Sequence, residues 1–190
     1  MRMIFMGPPG AGKGTQAAVV AEKFGIPAIS TGDIFRANVG EGTPLGLEAK
    51  RYMDAGEYVP DSVTNNMVRD RLSQPDAEPG FLLDGYPRTL AQVEELDGML
   101  SDGASLDAVV VLTVDSEELV QRLLKRAETS GRSDDTEEVI RHRQDVYTEQ
   151  TAPLIDVYRE RGLLLEVDGL GEVSEVSERI LSALDGVQRG

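Results

Sequence analysis

The stretch Gly7-Pro8-Pro9-Gly10-Ala11-Gly12-Lys13 constrains this chain more than any other part of it. It follows the apolar run Met3 to Met6, which reads as a strand, and opens a segment through Gln16 to Phe24 with helical spacing. A strand that enters a helix through a glycine-rich turn wraps its backbone closely around one point and aims successive N–H groups at it. The helix N-terminus adds a dipole that favours an anion there. Lys13 places a point charge where the outer phosphates of a nucleotide would lie. Elsewhere a Gly-x4-Gly-Lys string would be an ordinary turn, but between a first strand and a first helix it is a phosphate cradle.

Downstream, short apolar β-branched runs alternate with longer segments of helical period, the pattern of repeated βα units around a parallel sheet. The expected strands are Met3 to Met6, Ala28 to Ser30, Phe81 to Asp84, Ala108 to Val114 and Leu163 to Val167. Ligands of such sheets bind beyond the carboxyl ends of the strands, which is where the polar motifs fall. Two stretches break the alternation. Thr31 to Asp61, interrupted by Gly40, Gly42, Pro44, Gly46, Gly56 and Pro60, is too long for a crossover and predicts an inserted flap of two or three short helices. Ala127 to Asp135 is polar and predicts a short mobile cover, with Asp135 and Glu138 as a capping box for the next helix. Pro153 predicts a kink or a break in that helix.

With 190 residues the chain fits one domain, 1–190, and can bury a core without staples. Cysteine is absent, which removes thiol catalysis and a four-cysteine zinc knuckle and agrees with a reducing compartment. The chain runs from Met1-Arg2 into an apolar strand with neither a leader nor an apolar run of bilayer length, so cytoplasm is the expectation. A formal charge of -15 argues against a broad basic face that tracks nucleic acid. A few arginines focused in one cleft can still hold phosphates.

Several separated strings carry a resemblance to adenylate kinases of the short-lid form, within the P-loop nucleoside-monophosphate kinases. They are the glycine turn, Ser30-Thr31-Gly32-Asp33 with Arg36 one turn on, Asp84-Gly85-Tyr86-Pro87-Arg88 with Gln92, and the arginines Arg126, Arg132 and Arg143. The resemblance spans essentially the whole chain. It implies a P-loop three-layer α/β sandwich with a five-stranded parallel sheet, a monophosphate-binding flap over 30–59 and a short lid over 126–136. Gly14 departs from the general P-loop pattern, standing where a Ser or Thr would ligate magnesium, with Thr15 one place later. Nucleoside-monophosphate kinases read the same way, which implies Mg2+ held through water, ordered by Asp84.

The resemblance also implies roles for individual residues. Gly10, Ala11, Gly12, Lys13, Gly14, Thr15, Arg126 and Gly171 would bind ATP. Thr31, Arg36, Glu57, Tyr58, Val59, Gly85, Tyr86, Pro87, Arg88 and Gln92, with Arg132 and Arg143, would bind AMP. Lys13, Arg88, Arg132 and Arg143 would neutralise the moving phosphoryl group. Some of these have plainer readings: Ser30 to Asp33 is a good helix cap, and a single arginine is most often a solvated surface residue. Arg122 and Arg141 fall in that surface class, although Arg122 could also stack on the ATP base, and His142, without a carboxylate or cysteine at metal spacing, reads as a surface helical residue. The expected ligands are ATP, AMP and ADP, with Mg2+ and no zinc, no nucleic acid and no membrane, on a monomer. The rival readings are a UMP/CMP kinase and a catalytically silent nucleotide-binding module. Thr31, Tyr86 and Thr89 favour adenine over the first, and the complete set of cations argues against the second.

Overall fold

The computed structural model describes residues 1–101, 103–132 and 136–188. Its five strands are β1 (Arg2–Met6), β2 (Ala28–Ser30), β3 (Phe81–Asp84), β4 (Ala108–Thr113) and β5 (Leu164–Asp168), all parallel in the order β2-β3-β1-β4-β5. The register pairs Ser30 and Phe5 with Asp84, so β2, β3 and β1 end side by side and the segments after them emerge at one place.

Alternate residues of each strand face opposite ways, and helices cover both faces. Met3, Phe5, Leu82, Val110 and Leu112 pack against α1 (Lys13–Phe24) and α9 (Val173–Gln188). Ile4, Met6, Leu83, Val109 and Val111 pack against α4 (Asp61–Leu72), α5 (Leu90–Met99) and α8 (Pro153–Glu160). Each side chain of that size, fully buried, stabilises the fold by about 1.5–3 kcal/mol. The expected three-layer α/β architecture is what the chain adopts.

The first interruption holds two helices, α2 (Thr31–Glu41) and α3 (Pro44–Asp54). Ser30 caps α2 by accepting from the Asp33 N–H, and Thr43 caps α3 by accepting from the Gly46 N–H. Phe35, Ala49 and Val59 form a small core of their own with Leu45, Tyr52 and Met53. The two helices touch backbone to backbone, and a Cβ on Gly46 would lie 2.1 Å from the Asn38 carbonyl oxygen.

The second interruption is shorter than expected, because α6 (Ser116–Ser130) continues through Ala127 and ends at Gly131 with φ 62°. Helix α7 (Glu137–Val146) is capped by Thr136, whose hydroxyl accepts from the Val139 N–H, so the cap sits one residue later than the expected box. Asp135 lies outside the described residues. Pro153 does mark a break. A π turn (Tyr147–Thr151), closed by the Ala152 N–H on the Tyr147 carbonyl, precedes it, and Pro153 opens α8 where a missing N–H costs nothing.

Candidate active site

The turn between β1 and α1 takes the form its glycines permit. Gly10 has φ 89°, and a Cβ there would come within 2.9 Å of the Leu123 side chain, so only glycine lets the loop lie against α6. Gly12 holds the N-cap of α1 in the left-handed region and offers no side chain to it, which leaves the first-turn N–H groups for an anion. The loop is tied from outside by Gln144 of α7, whose Nε2 donates to the Pro9 carbonyl at 2.8 Å.

Lys13 points back over this loop, its Nζ donating to the Pro8 carbonyl at 3.3 Å. Burial pushes its ammonium down to about 8. Asp84 opposes that shift, while Arg88, Arg143 and Arg126 add to it. Four cations drawn from four parts of the chain therefore gather near one point, an arrangement that suits an anion. Asp84, only 8% exposed, stands beside the start of α1, with its Oδ2 3.8 Å from where a Gly14 Cβ would be. A single carboxylate next to a phosphate cradle fits Mg2+, which keeps most of its waters and takes one or two carboxylates along with substrate phosphates. Among the described residues, no cluster of three His, Cys, Asp or Glu could hold an ion unaided.

Beside the loop a cleft open to solvent runs between the sheet end and α2, α3 and α7. Lys13, Arg88 and Arg143 line it together with Thr31, Arg36 and Gln92, and the segment Glu57-Tyr58-Val59 forms part of its wall with Gly85 and Pro87. Thr31 does not cap α2; its hydroxyl donates to the Gly85 carbonyl at 2.9 Å. Arg88 is held the same way, Nε donating to that carbonyl at 2.7 Å, and its guanidinium lies 5.2 Å from the centre of the Tyr58 ring. Arg36 pairs with Asp33 one turn away. Phe35, Met53 and Thr64 add an apolar side to the pocket.

Other expected residues sit elsewhere. Tyr86 is fully buried in the core, where its hydroxyl donates to Asn65 and burial, reinforced by Asp61, pushes its pKa up to about 12. Its neighbours Gly85 and Pro87 line the cleft and Tyr86 does not. Arg126 lies on α6 and Arg132 follows Gly131; neither lines the cleft, although Arg126 acts on Lys13. Gly171, with φ 112°, belongs to the loop after β5, whose carbonyls are held by Arg122 and Arg179. Arg141 pairs with Glu137 and Glu117 at the surface. His142, half exposed on α7, meets the Glu57 carboxylate.

Sequence reasoning missed three residues that hold the site. Thr151, buried in the π turn, donates to the Arg88 carbonyl at 2.8 Å. Gln144 ties the phosphate loop, and Asp61 holds Gln92 through its Nε2 at 2.8 Å. Pro153 was the one signal near Thr151, and Pro60 the one before Asp61.

Comparison with known proteins agrees with this geometry. The family model described as adenylate kinase matches residues 5–163. An adenylate kinase of a Nocardioides strain is 73% identical over 97% of each chain. One from Kocuria rhizophila is 65% identical over 97% of this chain and 98% of its own, and one from Renibacterium salmoninarum 64% identical over 98% and 97%. Matched over most of its length by the family model and over nearly all of it by these relatives, the chain belongs to the adenylate kinase family.

Proposed function

We propose that the chain catalyses the reversible reaction ATP + AMP = 2 ADP, with ATP over the glycine loop and AMP in the cleft between α2, α3 and Gln92. The observation that carries this reading is the convergence of Lys13, Arg88 and Arg143 on one cleft beside the glycine loop. A phosphate oxygen of AMP attacks the γ-phosphorus of ATP, forming one P–O bond as the bond to the β-phosphate oxygen breaks. The attacking oxygen is already ionised, so no general base is required. Phosphoryl transfer of this kind rests on alignment and on neutralising charge. Lys13 and the loop N–H groups hold the β- and γ-phosphates, Arg88 and Arg143 sit over the moving group, and Arg36 exchanges Asp33 for the AMP phosphate.

Asp84 would order the water shell of Mg2+, which would supply positive charge to offset that of the ATP phosphates. Arg132 joins Arg143 when residues 126–136 act as a short lid, and Arg126, Thr15 and Gly171 lie on the ATP side. Residues 30–59 act as the flap over AMP. Their closure excludes water, the competing nucleophile. A monomer in a reducing cytoplasm, to which a cysteine-free chain is suited, completes the reading.

Initial rates with ATP and each of AMP, CMP, UMP and GMP test the assignment. AMP is expected to exceed the others by at least about tenfold in kcat/KM, since an unpaired buried polar group in the wrong base costs that much or more. A higher rate with CMP or UMP would instead assign a pyrimidine monophosphate kinase. Two adenosines joined by five phosphates are expected to inhibit against both substrates, and tight binding without turnover would leave only a nucleotide-binding module.

A further inference from the structure

We propose that Asp61 is a specificity-positioning residue: it fixes which way the Gln92 amide points, and thereby selects a 6-amino purine over a 6-oxo purine in the acceptor pocket. This rests on the reading above, in which Gln92 faces the acceptor base.

A carboxamide is nearly symmetric in shape, and exchanging its oxygen and NH2 by rotation has little steric cost. The two orientations read opposite bases. With its oxygen toward the 6-substituent and its nitrogen toward a ring nitrogen, the amide accepts from the adenine amino group and donates to the ring. Reversed, it donates to a 6-oxo group and accepts from the ring N–H of hypoxanthine or guanine. A glutamine free to turn would therefore accept either purine.

Gln92 is not free to turn. It is 2% exposed yet lines the cleft. Its Oε1 accepts from the Arg88 backbone N–H at 2.7 Å, and its Nε2 donates to Asp61 Oδ1 at 2.8 Å. Reversal would set NH2 against an N–H and a carbonyl oxygen against a carboxylate, so both neighbours oppose it together. One N–H and one lone pair remain for the base in a fixed arrangement; with the oxygen toward the 6-substituent they match adenine and oppose a 6-oxo purine.

Asp61 is itself held in place. The Thr89 hydroxyl donates to its two oxygens at 3.2 and 3.3 Å, and the same hydroxyl accepts from the Gln92 backbone N–H at 3.2 Å, which closes a ring of three residues. The carboxylate also sits in the first turn of α4, where the helix dipole favours it. It follows Pro60 at the end of the Glu57 to Val59 wall, so one short stretch of chain both lines the cleft and orients the residue that reads the base.

The test compares AMP and IMP as acceptors, with ATP as donor, in Asp61→Ala, Asp61→Asn and Gln92→Ala. Asp61→Ala is expected to lower the AMP-over-IMP ratio of kcat/KM by about tenfold or more, the scale of a lost hydrogen bond to a charged group. The loss should appear in KM for AMP, with kcat at saturating AMP within about threefold of the parent. Asp61→Asn, which keeps an acceptor oxygen beside Gln92, is expected to retain most of the preference; a purely structural staple between α4 and α5 would not produce that pattern. Equal losses on AMP and IMP, or an unchanged ratio, in a folded Asp61→Ala protein overturn the proposal. If the alanine variant does not fold, Asp61→Ser, whose hydroxyl stops short of Gln92, carries the same comparison. Gln92→Ala separates the two layers of the reading. An unchanged KM for AMP in that variant sinks the base assignment and this inference with it. A raised KM there, with the ratio intact in the Asp61 variants, removes the clamp alone.

Discussion

The hydroxyls of Tyr58 and Thr151, 93 positions apart in the chain, meet across the cleft wall. Thr151 has one proton and gives it to the Arg88 carbonyl, so Tyr58 is the donor in the pair. The Tyr58 ring at the same time lies under the Arg88 guanidinium. The wall segment before α4, the π turn and Arg88 are thus joined through two hydroxyls.

That order distinguishes two variants. Thr151→Val leaves the Arg88 carbonyl and the Tyr58 hydroxyl without their partner, and is expected to cost about 1–3 kcal/mol of stability and about tenfold in turnover as Arg88 loosens. Tyr58→Phe keeps the ring and the Thr151 bond, and is expected to lose less than about 1 kcal/mol and less than about threefold in turnover. Denaturant unfolding and ADP formation measure both. Equal effects in the two variants would contradict the relay.

Arg88→Ala removes a planar cation that lines the cleft and that the proposed function places over the transferring group. Turnover is expected to fall by at least about two decades, by the scale of an arginine finger, with the unfolding temperature within a few degrees of the parent. Near-normal rates in a folded variant would take Arg88 off the catalytic list.

Lys13, pushed down to about 8 by burial, makes a pH signature. An entering polyanion favours the ammonium, so ATP binding near pH 8 to 8.5 is expected to take up a proton, and affinity to fall as pH rises further. Calorimetric titrations in buffers of different ionisation enthalpy measure that uptake. The ligand-free fold has the matching sign. Between about 8 and the ordinary lysine value of 10.5 the unfolded chain holds more protons than the folded one, so this group makes stability rise with pH across that window and carries its full cost below it. Lys13→Met is expected to abolish both the proton uptake and that rise; uptake that persists in the variant assigns it to another group.

Gln144 ties the glycine loop but does not line the cleft. Gln144→Ala is expected to raise KM for ATP several-fold while leaving KM for AMP within about twofold, because one neutral hydrogen bond of about 1 kcal/mol is lost on the ATP side. Steady-state kinetics with each substrate varied in turn separate the two, and a rise confined to AMP would place the tether on the wrong half of the cleft.

The parts legible in the sequence are those written in local chemistry. The glycine turn, the strand runs ending at Ser30 and Asp84, and the break at Pro153 each depend on a few neighbouring residues whose conformational preferences leave little choice. The cap of α7 moved from Asp135 to Thr136 because both residue types can cap, and the choice depends on where the chain leaves α6. Tyr86 sits in a string that reads as a ligand site, but its ring follows the strand into the core. Asp61, Gln144 and Thr151 were invisible for a different reason. Their partners Gln92, Pro9 and Arg88 lie 31, 135 and 63 positions away, and an ordinary polar residue acquires such a role only when the fold closes.

The bare contact of Gly46 with Asn38 has a mechanical outcome. Sliding of α2 on α3 at this contact is opposed by main-chain atoms, so if the proposed flap moves, the pair would turn as one stiff lever and the bending would fall to its two roots, at Ser30 and at the stretch from Gly56 to Pro60. With α2 about 16 Å long, a small rotation at the Thr31 pivot becomes a sweep of several ångströms at the far turn near Leu47.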